Sequence, residues 1–145
     1  SNPQAELIKD VYGIDDAIER TKRYIDAGAE ICFADGIGTR EELEKFAKEL
    51  SGSGAYLVAN MIEGGKTPLI PAKELEQMGF SLVFWACSAV YTISKALYDL
   101  FGNLAQDGTT EKSLDRMIEF SQFNSMIGLD TYKEYERKYK VDRDD

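Results

Sequence analysis

The amino-acid sequence predicts an α/β fold built of parallel strand–helix units. This is either a small open sheet or the C-terminal part of a (β/α)8 TIM barrel, followed by helices. Three observations carry the prediction. Apolar runs suited to buried strands begin near Glu30, Ala55 and Phe80, a repeat of about 25 residues that matches the interval of an eight-fold barrel. Two of these runs are entered through a helix-ending glycine, Gly28 and Gly79, and strand alternating with helix at short constant spacing marks parallel units with right-handed crossovers. Beyond the third run the pattern becomes wholly helical. Three strands cannot close a barrel, so the open sheet and the partial barrel both stand at this point.

Residues 4–11 are mixed in character and predict little structure. A helix is expected from Asp15, capped by Asp15 or Asp16, with Ile14, Ala17, Ile18, Thr21 and Ile25 on one face and Gly28 at its end. Residues 29–34 read as the first strand, and Asp35-Gly36 as its exit turn. Thr39 and Glu42 form a capping box for a helix that turns Leu43, Phe46, Ala47 and Leu50 inward. The second strand, 55–59, follows a Ser-Gly-Ser-Gly break. Pro71 suits the first turn of a short helix burying Leu75 and Met78, and 80–86 is the third strand, with Cys87 and Ser88 at its exit.

The helical remainder starts at Ser88, with Val90, Ile93, Leu97, Leu100 or Phe101, and Leu104 along one face. Thr110 is expected to cap a helix carrying Leu114, Met117, Ile118 and Phe123 inward as far as Gly128. Thr131 and Glu134 make a second capping box for a last helix bearing Tyr132, Tyr135 and Tyr139, and 141–145 read as a charged tail. The chain thus divides into a partial barrel, 1–108, and C-terminal helices, 109–145. So few strands cannot cover that much amphipathic helix, so part of it is expected to pack on another subunit as a homo-oligomer.

The 145 residues are 43% hydrophobic with a net charge of -9. That length buries roughly two thirds of the unfolded surface, and the scattered acidic charge argues against nucleic acid and anionic membrane as partners. No apolar run approaches the ~20 residues of a membrane span, and the chain is read as cytoplasmic. Cys32 and Cys87 fall within apolar runs and are expected to be reduced, buried thiols. The absence of histidine removes Ser-His and Cys-His nucleophile pairs, and with only two thiols a structural zinc site is excluded.

The most informative stretch is 55–68, AYLVANMIEGGKTP. Apolar strand residues give way to Asn60 and Glu63, and Gly64-Gly65 then break regular structure. Ligands of parallel sheets bind beyond the carboxyl ends of the strands, where Asn60 and Glu63 would sit. Simple turn-capping is the alternative, since Asn and Gly are ordinary turn residues.

Placed in order, Gly13-Ile14-Asp15-Asp16-Ala17-Ile18-Glu19-Arg20, Ala27-Gly28-Ala29-Glu30, the run from Asn60 to Pro68, Glu74-Leu75 through Met78-Gly79, Ser88-Ala89 and Gly128-Leu129 resemble the C-terminal half of the isocitrate lyase / phosphoenolpyruvate mutase superfamily. The Asn60 run is the specific element. The resemblance implies a (β/α)8 barrel of about twice this length, with these strands as its sixth to eighth and its last helices exchanged between subunits. It further implies a Mg2+-dependent reaction on a 2-oxo or 2-hydroxy dicarboxylate, or a phosphonate, that breaks or forms a bond beside an enolate-like carbon.

By the same resemblance Asn60 holds a substrate carboxylate or phosphonate, and Asp35 stands where many C–C lyases of the family have a glutamate. Glu63 occupies the acidic position of the next turn, Met61 and Ile62 line the pocket, and Ser88 matches a serine at the exit of the last strand. Each has a plainer alternative: Asp35 as a turn residue, Glu63 as a solvated charge, Ser88 as a helix N-cap, the favoured reading for Ser88. The strands bringing the magnesium ligands and the loop with the family's acid/base cysteine have no counterpart here, so the chain alone is expected to be inactive, with no catalytic residue and no metal ligand assigned. Trp85-Ala86-Cys87 replaces the common Tyr-Pro-Leu, and Tyr91 stands where several lyases place an arginine for the second carboxylate. The glycine pair leans toward the dimethylmalate lyase, oxaloacetate decarboxylase and carboxyphosphonoenolpyruvate mutase branch, which makes C–C cleavage the leading reading and C–P chemistry the alternative. A catalytically incompetent half-barrel that self-associates through its sheet edges is a further alternative.

Overall fold

The computed structural model describes the backbone of residues 4–8 and the whole of residues 13–140. The chain forms two compact units, residues 1–94 and 95–145. The first contains a four-stranded parallel sheet in sequence order, β1 (Gln4–Ile8), β2 (Ile31–Asp35), β3 (Tyr56–Asn60) and β4 (Leu82–Phe84). Its helices are α1 (Gly13–Asp26), α2 (Arg40–Glu49) and α3 (Ala72–Met78). Each strand neighbours the next, the order of a barrel wall and not that of a doubly wound sheet.

One expectation is corrected at the start of the chain. Residues 4–8 are a strand, paired in register from Gln4 opposite Ile31 to Ile8 opposite Asp35. Five residues with only weak alternation do not announce a strand. The partner β2 supplies the ladder, and that partnership is not local information.

Strand alternation divides the sheet into two unlike faces. Cys32, Ala34, Leu57 and Ala59 point toward the helices and share one core with Ile18, Leu43, Phe46, Ala47, Leu50 and Leu75. The helices form a single layer, with α2 touching both α1 and α3, so the opposite face lacks their cover. That face carries Phe33, Val58, Leu82 and Phe84. Of these only Val58 is buried, whereas Phe33 is half-buried and Leu82 is 55% and Phe84 37% exposed. The rings of Phe33 and Phe84 meet across Val58 with centroids 5.7 Å apart.

The predicted helix faces are buried as expected: Ala17, Ile18 and Thr21 on α1, with Ile14 and Ile25 partly covered. Asp15 and Asp16 lie inside the first turn of α1, where they complement the helix dipole, and are not its cap. The Thr39 cap holds: its Oγ1 accepts the Glu42 amide at 3.1 Å, while Glu42 Oε2 reaches the Gly38 amide at 3.1 Å, one residue before the usual box partner. Gly79 closes α3 at φ 110°, donating back to Leu75 and Glu76 carbonyls. Cys32 is fully buried, and burial pushes its thiol up; Cys87 is only half-buried, which corrects the expectation of two buried thiols.

α4 (Ser88–Asp107) runs from the first unit into the second, and the predicted stripe is present but uncovered: Val90, Ile93, Leu97, Phe101 and Leu104 are all exposed. The expected helix from Thr110 to Gly128 is corrected. Thr110 has ψ 7° and makes no side-chain cap, outside the extended geometry an N-cap needs. The chain instead forms a 3-10 helix, Glu111–Arg116, then breaks at Met117 (ψ 147°) before α5 (Phe120–Met126). Leu114, Met117, Ile118 and Phe123 consequently share no inward face and are exposed. α6 (Leu129–Tyr139) begins at Gly128, so Thr131 lies within the helix and its capping box does not form. Residues 141–145, read as a charged tail, lie outside the described residues.

Candidate functional site

Phe33 stands opposite Val58 in the ladder, and two residues further along each strand come Asp35 and Asn60. Both occupy the carboxyl ends of neighbouring strands on the face the helices leave open. They line one recess of about 200 Å³ together with Gly36, Ile62, Gly65, Lys66 and Thr67. Asp35 is exposed and Asn60 half-buried. Asn60 Oδ1 is itself buried with no hydrogen-bond partner, an acceptor left unpaired at a cost of about 1–3 kcal/mol that a donor group would relieve. A larger recess of about 550 Å³ runs beside α3 and the open flank of β4. It lies away from the carboxyl ends of the strands and includes none of the candidate site residues Asp35, Asn60, Met61, Ile62, Glu63 and Ser88.

The loop after β3 builds the recess wall. The Met61 amide donates to the Phe84 carbonyl at 2.9 Å, extending the β3–β4 ladder by one bond. Alternation sends the Met61 side chain away from Asn60, into the core, where it is fully buried and its Sδ accepts the Ile70 amide at 3.4 Å. Ile62 lines the recess and Met61 does not. The Gly65 amide closes a tight turn on the Ile62 carbonyl at 3.0 Å, and a Cβ on Gly65 would meet that oxygen at 3.1 Å. Gly64 has φ +73°, open to glycine at little cost. The glycine pair therefore returns Lys66 and Thr67 to the recess beside Asn60. Sequence reasoning assigned neither residue a role, although the GGKT run was the available signal.

Glu63 and Ser88 form a second group. Ser88, the first residue of α4, donates its hydroxyl to Glu63 Oε1. That bond, helped by a backbone amide, holds the Glu63 carboxyl below the usual carboxylate range, against a smaller opposing effect of burial. Glu63 Oε2 is buried without a partner. Tyr91, one turn into α4, is pushed above the usual phenol range by a hydrogen bond to Cys87, with the Cys87 and Glu63 charges and burial adding. The pair joins residues 25 apart in sequence, and only the β3–β4 neighbourhood brings them together.

A folded-state pKa that is depressed contributes stability above the unfolded value, and the contribution is lost as pH falls through the folded value. Ser88→Ala is therefore expected to raise the Glu63 pKa toward that of an ordinary glutamate and to destabilise the chain near neutral pH but not in acid below both pKa values. A carbon-detected carboxyl titration, with urea melts at neutral pH and at a pH below the Glu63 midpoint that the titration finds, measures this; an unmoved Glu63 titration would show that Ser88 is not what depresses it.

Among the described residues no group of three or more His, Cys, Asp or Glu side chains stands together to hold a metal ion. Asp35 and Glu63 do not by themselves fit a divalent-cation site.

Residues 5–105 match the family model described as phosphoenolpyruvate phosphomutase. The chain belongs to this family. It is 38% identical over 131 residues to 2,3-dimethylmalate lyase of Eubacterium barkeri, covering 90% of this chain and 44% of that protein. It is 39% identical over 127 residues to the chloroplastic carboxyvinyl-carboxyphosphonate phosphorylmutase of Arabidopsis thaliana, covering 88% and 37%. A crystal structure of 2,3-dimethylmalate lyase, a PEP mutase/isocitrate lyase superfamily member, matches with a TM-score of 0.75 and 28% identity, covering 89% of this chain and 44% of that one. The chain therefore spans less than half the length of these relatives, and its parallel sheet with helices is the fold of that superfamily.

Proposed function

We propose that this chain supplies the carboxylate-holding part of a magnesium-dependent lyase that cleaves a C–C bond in a 2-oxo or 2-hydroxy dicarboxylate. The observation carrying the reading is the convergence of Asp35 and Asn60 in one recess at the carboxyl ends of adjacent parallel strands, where the Asn60 Nδ2 is the donor that a carboxylate requires. The relation to 2,3-dimethylmalate lyase supports the substrate class. Breaking a bond next to a carboxylate or carbonyl leaves an electron pair delocalised onto an enolate oxygen, which a cation and fixed dipoles stabilise. In this reading the four strands are the last four of an eight-stranded barrel, and the remaining strands and the magnesium ligands come from outside the described residues. No step is drawn through the ion.

Within the recess the Asn60 amide holds and orients the substrate carboxylate, and Ile62 supplies an apolar wall. The Glu63–Ser88 bond ties the loop that follows Asn60 to the start of α4, fixing the wall that Gly65, Lys66 and Thr67 complete. The relation to the Arabidopsis phosphorylmutase supports the alternative of C–P bond chemistry at the same recess, since a phosphonate meets Asn60 as a carboxylate does. A self-associating half-barrel without activity is favoured by a different feature, the open apolar face of the sheet. In each reading the chain forms a homo-oligomer: the exposed stripe of α4 is the proposed contact in the enzyme readings, and the sheet in the half-barrel reading.

Oxalate, the dianion resembling an enolate, tests the recess. Calorimetry on the full 145-residue chain in magnesium is expected to show saturable binding. Removing one hydrogen bond to a charged group costs about 1.5–3 kcal/mol, so Asn60→Ala is expected to weaken oxalate by about tenfold to a hundredfold. Binding indifferent to Asn60, or no binding by a chain with an intact helical spectrum, overturns Asn60 as the carboxylate holder.

A further inference from the structure

The loop that follows Asn60 leaves the sheet with little packing of its own. Gly64 stands at φ +73°, and a Cβ there would meet nothing within 4 Å, so packing does not fix the tip. Among the described residues, two bonds tie the loop to the chain that leaves β4. The Met61 amide donates to the Phe84 carbonyl at 2.9 Å, and beyond Phe84 the Ser88 hydroxyl donates to Glu63 Oε1. Ile62, which lines the recess, lies between the two.

Of the two ends of the second bond, Ser88 is the fixed one. It opens α4, where the Thr92 hydroxyl donates to its carbonyl at 2.7 Å and the Tyr91 amide closes the first turn on the Cys87 carbonyl at 2.8 Å. Serine at a helix start commonly accepts from the amides of its own helix; the Ser88 proton goes outward, to Glu63. Glu63 in turn keeps Oε2 buried without a partner, although a carboxylate on a loop gains by turning to water. The turn that follows does not explain that cost, since Ile62 and Gly65 close it through the backbone without the Glu63 side chain.

From this we infer that Ser88 is a positioning residue for the recess: by holding Glu63 it fixes the loop that sets where the Asn60 amide stands. The inference rests on the proposed carboxylate-holding role of Asn60, and Ser88 acts only through Glu63. The bond to Phe84 holds the backbone directly after Asn60, and the bond to Ser88 holds the loop further along, so the loop cannot pivot about the first. Pre-organisation of this kind raises affinity by removing an ordering cost that binding would otherwise carry.

The test reads oxalate affinity by calorimetry in magnesium and the Asn60 side-chain amide resonances by NMR, both on the full chain. Ser88→Ala is expected to weaken oxalate about threefold to tenfold, less than Asn60→Ala does, and to shift the Asn60 resonances before any ligand is added. Ser88→Thr, which keeps the hydroxyl, is expected to bind within about twofold of the unmutated chain, with the resonances restored. Glu63→Ala is expected to match Ser88→Ala, and the double variant to be no worse than either, because both act through one bond. A Ser88→Ala chain that loses stability but keeps its oxalate affinity and its Asn60 resonances overturns the assignment and leaves the bond a structural tie. If oxalate binding is absent or indifferent to Asn60→Ala, the carboxylate-holding role falls and the resonances alone decide Ser88: moved, Ser88 still places Asn60; unmoved, both assignments fall.

Discussion

Phe46→Ala is expected to remove about 3–5 kcal/mol of folding stability, the range for a fully buried phenylalanine whose cavity does not refill. Phe46 is 0% exposed and lies in α2, the middle helix of the layer, which touches α1 on one side and α3 on the other. Beneath it the helix-side face of the sheet is made of small residues, Cys32, Ala34 and Ala59, with Leu57 among them. Their side chains are too short to move into the space a phenyl ring vacates. The ring therefore supplies the volume that holds the helix layer on the sheet. A domain of this size has only about 5–15 kcal/mol in hand, so one substitution takes a large share of it. Urea denaturation measures the loss as a fall in midpoint at unchanged slope. Phe46→Leu, which keeps most of the apolar volume, is expected to cost only about 1–1.5 kcal/mol. A Phe46→Ala midpoint shift worth less than about 1 kcal/mol would mean that the core closes over the gap and that α2 is not held as described.

Which parts of this architecture are legible in the sequence follows from how local their causes are. The strand ends at Asp35 and Asn60 are visible because apolar runs stop at polar residues, and their convergence follows once the strands are parallel neighbours. The Thr39 cap and the Gly79 terminus are likewise set by residues within one turn. β1 is not legible, because its five residues become a strand only against Ile31–Asp35. The Thr131–Glu134 spacing fits a capping box, yet the Thr131 and Tyr132 amides already bond to the Gly128 carbonyl at 3.0 and 3.4 Å. The helix has begun before the box, and nothing in the four-residue pattern reports that. Glu63 and Ser88 are both present in the motif reading, but their bond depends on β4 lying beside β3. Met61 shows a different failure. Resemblance places it in the pocket, whereas strand alternation beyond Asn60 turns it into the core.

The exposed stripe of α4 gives the second large effect. Val90, Ile93, Leu97, Phe101 and Leu104 recur at helical spacing and are 60%, 57%, 44%, 59% and 39% exposed, an apolar surface that a lone soluble chain does not keep uncovered. The expected state at about ten micromolar, a concentration typical of moderate affinity, is a homo-oligomer by sedimentation velocity. Burying one leucine or phenylalanine side chain is worth about 1.5–3 kcal/mol. Replacing two of them, Leu97→Lys with Phe101→Lys, is therefore expected to weaken association by at least about a hundredfold and to leave a folded monomer. The rival surface is the open sheet face with its edge strands, tested by Leu82→Lys at a residue that is 55% exposed. If Leu82→Lys disperses the oligomer and the α4 pair does not, association runs through the sheet, as a self-pairing half-barrel requires. If the α4 pair disperses it, the helix is the contact and the sheet face is not. A wild-type chain that sediments as a well-folded monomer overturns both.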